Sequence, residues 1–504
     1  MKNLHVIDLS KNNLDIKIQD SDIIYINSGN INITNSKILK LNDLSKNINT
    51  KKLFLDSLQK KIAKNKDYFI KEFEIYNIRN DKNIFISKIL NYLKLKNFIN
   101  KNGKKYMVHC ISDNKFTIDI LNQITKKKIK NKYYPNYKQR IKKINHNLFY
   151  LKFIIKTFVI MLIIKLFDQK NIIRKLNFNK KKWSISLFPN FYNSKNETFF
   201  GDKFNKINFL FTDETHLNYS FFEILKVYFK NRSSLLNIES FINLKDILQS
   251  IKNRYLMNRK YKHYLNDTFY IDGLNFTDYY LTSNANSYIN RSKLSIYDQA
   301  LNRFQKFYDL KEFHLYLFEY NFGFYLIRKL KKKNCKIIGY QHGIFDKNLL
   351  WLDLVLLNRD EVFYPNTIVS NYPKSSKLYK QKYKNKVTKY ICVKKKISVI
   401  SKHIRVKKNH NGNKILFIAG THDIRDIYNY CKKEIIKNKK YYFYIKTHPK
   451  NKFLFDDERY IKKIDNLNNK VFKTIFVSST STIAYDMSIL KKKFTSFQLD
   501  YKSC

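Results

Sequence analysis

Two short runs near the C-terminus carry the side chains best suited to chemistry: Lys446-Thr447-His448-Pro449 and Ser478-Ser479-Thr480-Ser481-Thr482. Each follows an apolar run that reads as a buried strand, Tyr441–Ile445 and Val471–Val477, and each leads into a helical pattern. Small hydroxyl residues between a strand end and a helix start leave backbone N–H groups converging on one spot, which suits an anion such as phosphate. Pro449 fits the first turn of a helix, where its missing N–H costs nothing. His448 is placed to donate to a phosphate or a ribose. The plainer alternatives are a loop histidine before a helix-starting proline and an ordinary N-cap cluster. Five consecutive hydroxyl residues exceed what a cap needs, so anion binding is the favoured reading.

Three further strand ends carry polar residues. Lys414–Gly420 is a clean apolar strand ending in glycine, followed by Thr421-His422-Asp423 and a helical pattern over Ile424–Lys437. That turn can approach a diphosphate or sugar, or it is a simple strand-to-helix connection. Lys336–Tyr340 runs into Gln341-His342-Gly343, either a site at a strand end or a turn with a surface histidine. Glu319 ends the strand-like run Lys311–Phe318 and is a candidate general base, or a solvated loop carboxylate. No zinc-protease, nucleophile-elbow, P-loop or G-x-G-x-x-G pattern appears. Nor does a carboxylate cluster with metal spacing, so the expected chemistry uses no bound metal.

The elements that position these residues read as α/β throughout. Leu4–Leu9, Ile23–Ile26, Ile31–Ile33 and Tyr106–Cys110 suggest strands. Leu53–Tyr76, Phe85–Phe98 and Asn114–Ile124 have helical spacing. Trp183–Pro189 and Ile207–Phe211 open a second series of strands, followed by helical patterns at Tyr219–Phe229, Leu235–Asn253 and Tyr325–Lys332. Pro365 and Pro373 flank a strand-like Thr367–Ser370 and suggest a boundary near 360–375. Five of the nine glycines lie after residue 320, at 323, 339, 343, 412 and 420, where close backbone approach or positive φ is expected.

Charge is the most lopsided property of the chain. Lys and Arg total 98 against 40 Asp and Glu, a formal net charge of +58. The excess is spread over the whole chain and accompanies abundant Asn, Ile, Tyr and Phe, as an A/T-rich coding sequence would produce. No nucleic-acid-binding motif accompanies it, so no specific nucleic-acid partner is expected. The charge still favours anionic lipid surfaces and phosphate-bearing ligands. Residues 148–167 form an apolar stretch with Lys152, Lys156 and Lys165 inside it and basic segments before it. That pattern reads either as a helix lying in a membrane interface or as a helix buried between domains. The five cysteines are scattered, which fits a reducing cytosol, and residues 1–8 look like a first strand rather than a signal peptide.

Taken together, Phe318-Glu319-Tyr320-Asn321, Ile337–Gly343, Ile445–Pro449 and Ser478–Ser481 resemble bacterial surface-carbohydrate biosynthesis proteins, those of O-antigen and capsule, with the GT-B glycosyltransferase fold. The His-Pro and serine loops are also similar to those of polysialyltransferases, capsule Kdo transferases and glycerophosphate polymerases. The resemblance implies two Rossmann-like domains facing a cleft, the C-terminal one holding a nucleotide-activated sugar. His448, Pro449, Ser478, Ser479, Thr480 and Ser481, with Lys446, Gly420 and Thr421, would bind the donor; Glu319 or His342 would act as base, with Gln341 and Gly343 in the cleft. Tyr320 follows the glutamate, and Gly323 and Phe324 stand where the related pattern has tryptophan and an acidic residue. The expected organisation is an α/β part over 1–125, a basic segment with a membrane-associating helix over 126–182, the rest of the acceptor-side domain over 183–360, and a donor domain over 361–504. The expected protein is a peripheral enzyme of the inner face of the plasma membrane. It takes no cofactor and transfers sugar to a lipid-linked or growing glycan acceptor. The alternatives are a polyol-phosphate or Kdo/sialic-type transferase on the same fold, and a non-enzymatic basic nucleic-acid-binding protein.

Overall fold

The computed structural model describes residues 1–8, 13–26, 30–34, 37–39, 50–64, 85–126, 129–133, 150–159, 161–163, 182–186, 208–211, 222, 236–265, 268–278, 295–306, 310–316, 318–319, 321–341, 364–393, 399–406, 413–420, 424–447, 457–464, 467, 471–478 and 481–497. Three parallel sheets organise them.

In the first, β1 (Lys2–Asp8) is central. Strands β2 (Asn13–Gln19), β3 (Asp22–Tyr25), β4 (Asn30–Thr34) and β5 (Lys37–Ile38) follow in quick succession. The odd-numbered ones join β1, while β2 and β4 pair with each other in a small parallel sheet of their own. Helices α1 (Thr50–Lys64) and α2 (Phe85–Asn102) then lead to β6 (Tyr106–Ser112), α3 (Lys115–Thr125) and β7 (Lys130–Tyr133). The sheet order is β5-β3-β1-β6-β7. Its last strand lies just beyond the expected limit at 125. The helical reading at Leu53–Tyr76 is met by α1 as far as Lys64, and the remainder lies outside the described residues.

The second sheet has seven parallel strands. These are β8 (Lys182–Ser186), β9 (Asn208–Phe211) and β10 (Leu236–Asn237), then β13 (Glu312–Tyr316), β14 (Lys336–Tyr340), β15 (Thr367–Ser370) and β16 (Lys389–Cys392), in the order β10-β9-β8-β13-β14-β15-β16. Between β10 and β13 lie α4 (Leu244–Leu265) and a two-stranded hairpin of β11 (Tyr270–Ile271) and β12 (Leu274–Asn275). Helix α5 (Asn321–Lys331) joins β13 to β14, and α6 (Pro373–Tyr383) joins β15 to β16. The expected boundary at 360/361 falls inside this sheet, since β15 pairs with β14 and the strands continue to Cys392. Pro373 does not mark a linker. It occupies the first turn of α6, where proline is at home. The helical reading from Leu235 also starts too early. Asp246 accepts the backbone N–H of Asn243 at 2.7 Å, a capping-box contact that sets the start at Leu244. Arg303 pairs with Asp246 and donates to the Phe241 carbonyl, fixing that helix end to the core.

The third sheet follows α7 (Val399–His403) and β17 (Arg405–Val406). Its strands are β18 (Lys414–Ile418), β19 (Tyr442–Lys446), β20 (Ile461–Lys463), β22 (Thr474–Ser478) and β23 (Thr495–Phe497), in the order β20-β19-β18-β22-β23. Helix α8 (Ile424–Lys437) links β18 to β19, and α9 (Thr482–Ile489) links β22 to β23; β21 (Val471–Phe472) pairs with β17 alongside. Phe417 of β18 stacks on Phe476 of β22 with ring centroids 4.9 Å apart. Two apolar clusters cover this sheet.

Each sheet therefore reads third, second, first, fourth, fifth in chain order, the second continuing with its sixth and seventh strands, in a doubly wound Rossmann-like arrangement. Each has a topological switch point where order reverses: between β1 and β6, β8 and β13, and β18 and β22. The first two sheets share one apolar core that runs from Leu4 to Val387. Within it, a Cβ added to Gly339 would lie 2.7 Å from the Phe318 ring, so the glycine serves close approach. Gly339→Ala should lower stability by about 1–3 kcal/mol, read as a fall in denaturant midpoint.

Residues 150–159 and 161–163 are helical. Tyr150, Phe153, Ile154 and Met161 are buried in the same core, while Leu151, Ile155 and Leu162 are exposed. One face of this stretch is therefore packed into the core, as the buried-helix reading expects, and another faces outward. Among the described residues no helix is long and apolar enough to cross a membrane.

Candidate functional site

The carboxyl ends of β18, β19 and β22 meet at the switch point of the third sheet. β18 ends at Ile418 and gives way to buried Ala419 and Gly420. Ala419 donates its N–H to the Lys446 carbonyl at 3.0 Å, so the Gly420 turn lies beside the end of β19. Lys446 is half-buried and Thr447 follows it. On the other side, β22 ends at Ser478, which is buried. The Ser481 N–H returns to the Ser478 carbonyl at 2.8 Å, closing a tight turn. The Ser481 hydroxyl then accepts the Ile483 N–H at 3.3 Å, as an N-cap of α9. Ser481 is thus engaged as a cap. The sheet gathers Gly420, Lys446, Ser478 and Ser481 at one edge. Thr421, His448, Pro449, Ser479 and Thr480 lie outside the described residues.

Helix α9 is held from beneath by Asp486. It is fully buried and accepts from the Ser401 hydroxyl of α7 at 3.0 Å. Lys492, just past α9, donates to the carbonyls of Ser401, Lys402 and Ile404 at 2.6–2.7 Å, neutralising the C-terminal end of α7. These ties fix the serine turn to a rigid base.

The second sheet supplies the other group of residues named from the sequence. Glu319 lies just beyond β13 and Gln341 just beyond β14, on paired neighbouring strands next to the β8/β13 switch point. Both are buried. Glu319 accepts a hydrogen bond from the Tyr379 hydroxyl of α6. Gln341 donates to the Ser375 hydroxyl at 3.0 Å and accepts the Asn371 N–H at 3.0 Å, stitching β14 to the start of α6. The structure brings these two together, but beneath α6. His342 and Gly343 lie outside the described residues.

A contact that the sequence did not signal joins the two regions. Tyr372 is two residues past the carboxyl end of β15. Its ring packs on that of Tyr485, in the first turn of α9, with centroids 4.5 Å apart and planes 33° apart. Burial pushes the Tyr372 hydroxyl above its ordinary pKa, and the neighbouring Asp486 and Tyr485 add to that shift. The tyrosine therefore stays neutral at physiological pH. Nothing local marks such a pair, because its partners are 113 positions apart in the chain (485 − 372).

The first sheet holds a second unsignalled cluster at its own switch point. Asp8, at the end of β1, is completely buried. Its carboxylate accepts from Lys88 Nζ at 2.9 and 3.0 Å, from Thr117 Oγ1 at 2.5 Å and from Tyr92 OH at 3.2 Å. All the geometry points inward. Every donor comes from a packed helix, so the cluster acts as a structural knot.

Other reactive side chains are subdued. Burial pushes the thiols of Cys110 and Cys431 up to about 12, leaving them protonated and poor nucleophiles. Among the described residues, no group of three or more His, Cys, Asp or Glu side chains converges.

No family model, curated protein or solved structure matches the chain.

Proposed function

We propose that this protein is a glycosyltransferase of GT-B type, moving a sugar from a nucleotide-activated donor to a lipid-linked or growing surface glycan at the inner face of the plasma membrane. One observation carries the reading. The strand order of the third sheet gathers Gly420, Lys446, Ser478 and Ser481 at the carboxyl edge around its switch point, where open α/β sheets bind nucleotides. The Tyr372–Tyr485 contact supports a second sheet facing that edge, since each tyrosine follows the carboxyl end of its own sheet's strands.

In this reading the serine turn, Lys446 and His448 bind the donor diphosphate and stabilise its charge as the sugar departs. Pro449 and Thr421, which follow His448 and Gly420 in the sequence, complete the donor-binding set in this reading. The acceptor hydroxyl loses its proton to a base of the second sheet. Glu319 is already engaged by Tyr379 beneath α6, so His342, between Gln341 and Gly343, takes that role.

The test is a thermal-shift panel with CMP, CDP, UDP, GDP and ADP on wild type and His448→Ala. Selective stabilisation by one nucleotide, lost in the variant, is the expected result. A cytidine nucleotide as the selected one would favour the polyol-phosphate or Kdo/sialic-type transferase. No shift with any nucleotide would overturn the donor-site reading.

A further inference from the structure

Two helices of this protein carry the same outward pattern. On α4, Leu244, Leu248, Ile251 and Tyr255 recur at i, i+4, i+7 and i+11, and all four are exposed, Leu248 by 58% and Tyr255 by 72%. On the helical residues 150–159 and 161–163, Leu151, Ile155, Phe158 and Leu162 recur at identical spacing. Phe158 is half-buried and the other three are exposed, Ile155 by 54%. Such spacing places each set in one stripe along its helix. The opposite sides are spent on the core, through Ile247 and Ser250 on α4 and through Phe153, Ile154 and Met161 on the other helix.

The helices touch. Tyr150 OH hydrogen-bonds Ser250 Oγ at 2.9 Å, and the Arg254 guanidinium lies 4.0 Å above the Tyr150 ring. The two helices are thus neighbours joined through buried side chains, and each carries an exposed apolar stripe where an isolated soluble surface would carry polar residues.

The charge around them identifies what covers them. Exposed lysines flank both stripes: Lys245 and Lys252 on α4, Lys152 on the other helix. The only carboxylate on either helix is Asp246, which is buried and paired with Arg303. An apolar stripe with cationic flanks and no outward carboxylate matches a bilayer interface rich in anionic headgroups. A second copy of the chain would bring the same lysines and another +58 to the contact.

We infer that α4 and the helical residues 150–159 and 161–163 together form the docking surface of this protein for an anionic lipid bilayer, lying in the plane of the interface. The inference does not depend on the transferase reading. It would hold for any reaction, or none, at the third sheet.

The test is co-sedimentation of the full chain with vesicles of phosphatidylcholine alone and of phosphatidylcholine mixed with phosphatidylserine. Wild type should bind the mixed vesicles and only weakly the neutral ones. Leu248→Gln with Ile251→Gln should weaken partitioning about tenfold, the effect of withholding two half-exposed aliphatic side chains from the lipid. Leu151→Gln with Ile155→Gln should do the same. All four positions face outward, so unfolding midpoints should not move, and nucleotide binding should be retained. Lys245→Gln with Lys252→Gln should remove part of the salt-sensitive component. Three results would overturn the inference. One is no sedimentation with mixed vesicles; another is binding that both apolar double variants leave intact, which would reduce it to bulk charge. The third is a dimer in light scattering that those variants dissolve, which would make the face a protein interface.

Discussion

Asp8→Ala should cost about 3–5 kcal/mol of stability, the usual penalty for breaking a buried ion pair by removing one partner. The Lys88 side chain is only 10% exposed and lies against the Asp8 carboxylate. Without that carboxylate the ammonium is left desolvated and uncompensated. Tyr92 and Thr117 lose their common acceptor at the same time, although they still hydrogen-bond each other at 2.8 Å. The damage falls at the centre of the first sheet, since β1 pairs with both β3 and β6. Lys88→Met should also destabilise, by stranding the carboxylate. The double variant Asp8→Leu with Lys88→Met should lose less than the sum of the singles, because it leaves no buried charge behind. Urea unfolding followed by circular dichroism reads all three. A loss below about 1 kcal/mol in Asp8→Ala would mean that water reaches the pair and that it behaves as a surface ion pair.

The second large effect is on the proposed reaction. His448→Ala should lower sugar transfer by about 10²–10³-fold, the range seen when one preorganised donor to developing negative charge is removed. The variant's melting temperature without nucleotide should equal that of wild type, because the strand before it is secured independently. Phe443 and Ile445 of β19 are buried, and β19 pairs with β18 and β20 on its two sides. Undiminished transfer in a folded variant would remove His448 from the site. A parallel loss of stability would mean that the residue serves the fold instead.

Much of the α/β pattern was legible because apolar runs and helical spacing are local. Tyr441–Ile445 and Lys414–Gly420 announce β19 and β18 to within a residue or two, and Phe85–Phe98 announces α2. What escaped is non-local. Nothing near Asp8 says that its partner lies 80 positions away at Lys88. Proline misled at 373 because it marks the start of a helix as readily as a break between domains. The serine run suggested an open cradle, yet Ser481 spends its hydroxyl on the Ile483 N–H, a use that residue type alone cannot distinguish from ligand binding. Glu319 was placed correctly at a strand end, but its burial depends on Tyr379, 60 residues on. Strand order, which makes the third sheet a candidate nucleotide site at all, follows from pairings that no single segment encodes.

The shared core of the first two sheets sets the order in which the chain can mature on the ribosome. β1 is made well before one of its two neighbours, β6, which follows about a hundred residues later, and the common core is incomplete until Val387 has emerged. Parallel pairings of such long range are slow to form and leave apolar edges open meanwhile. The last sheet closes entirely within residues 414–497, with its own two clusters, so it can fold in a single local step once synthesised. Chaperone engagement should therefore concentrate on the nascent segment from β1 to β16, and a ribosome-stalled chain ending before β16 should stay protease-sensitive from β1 onward.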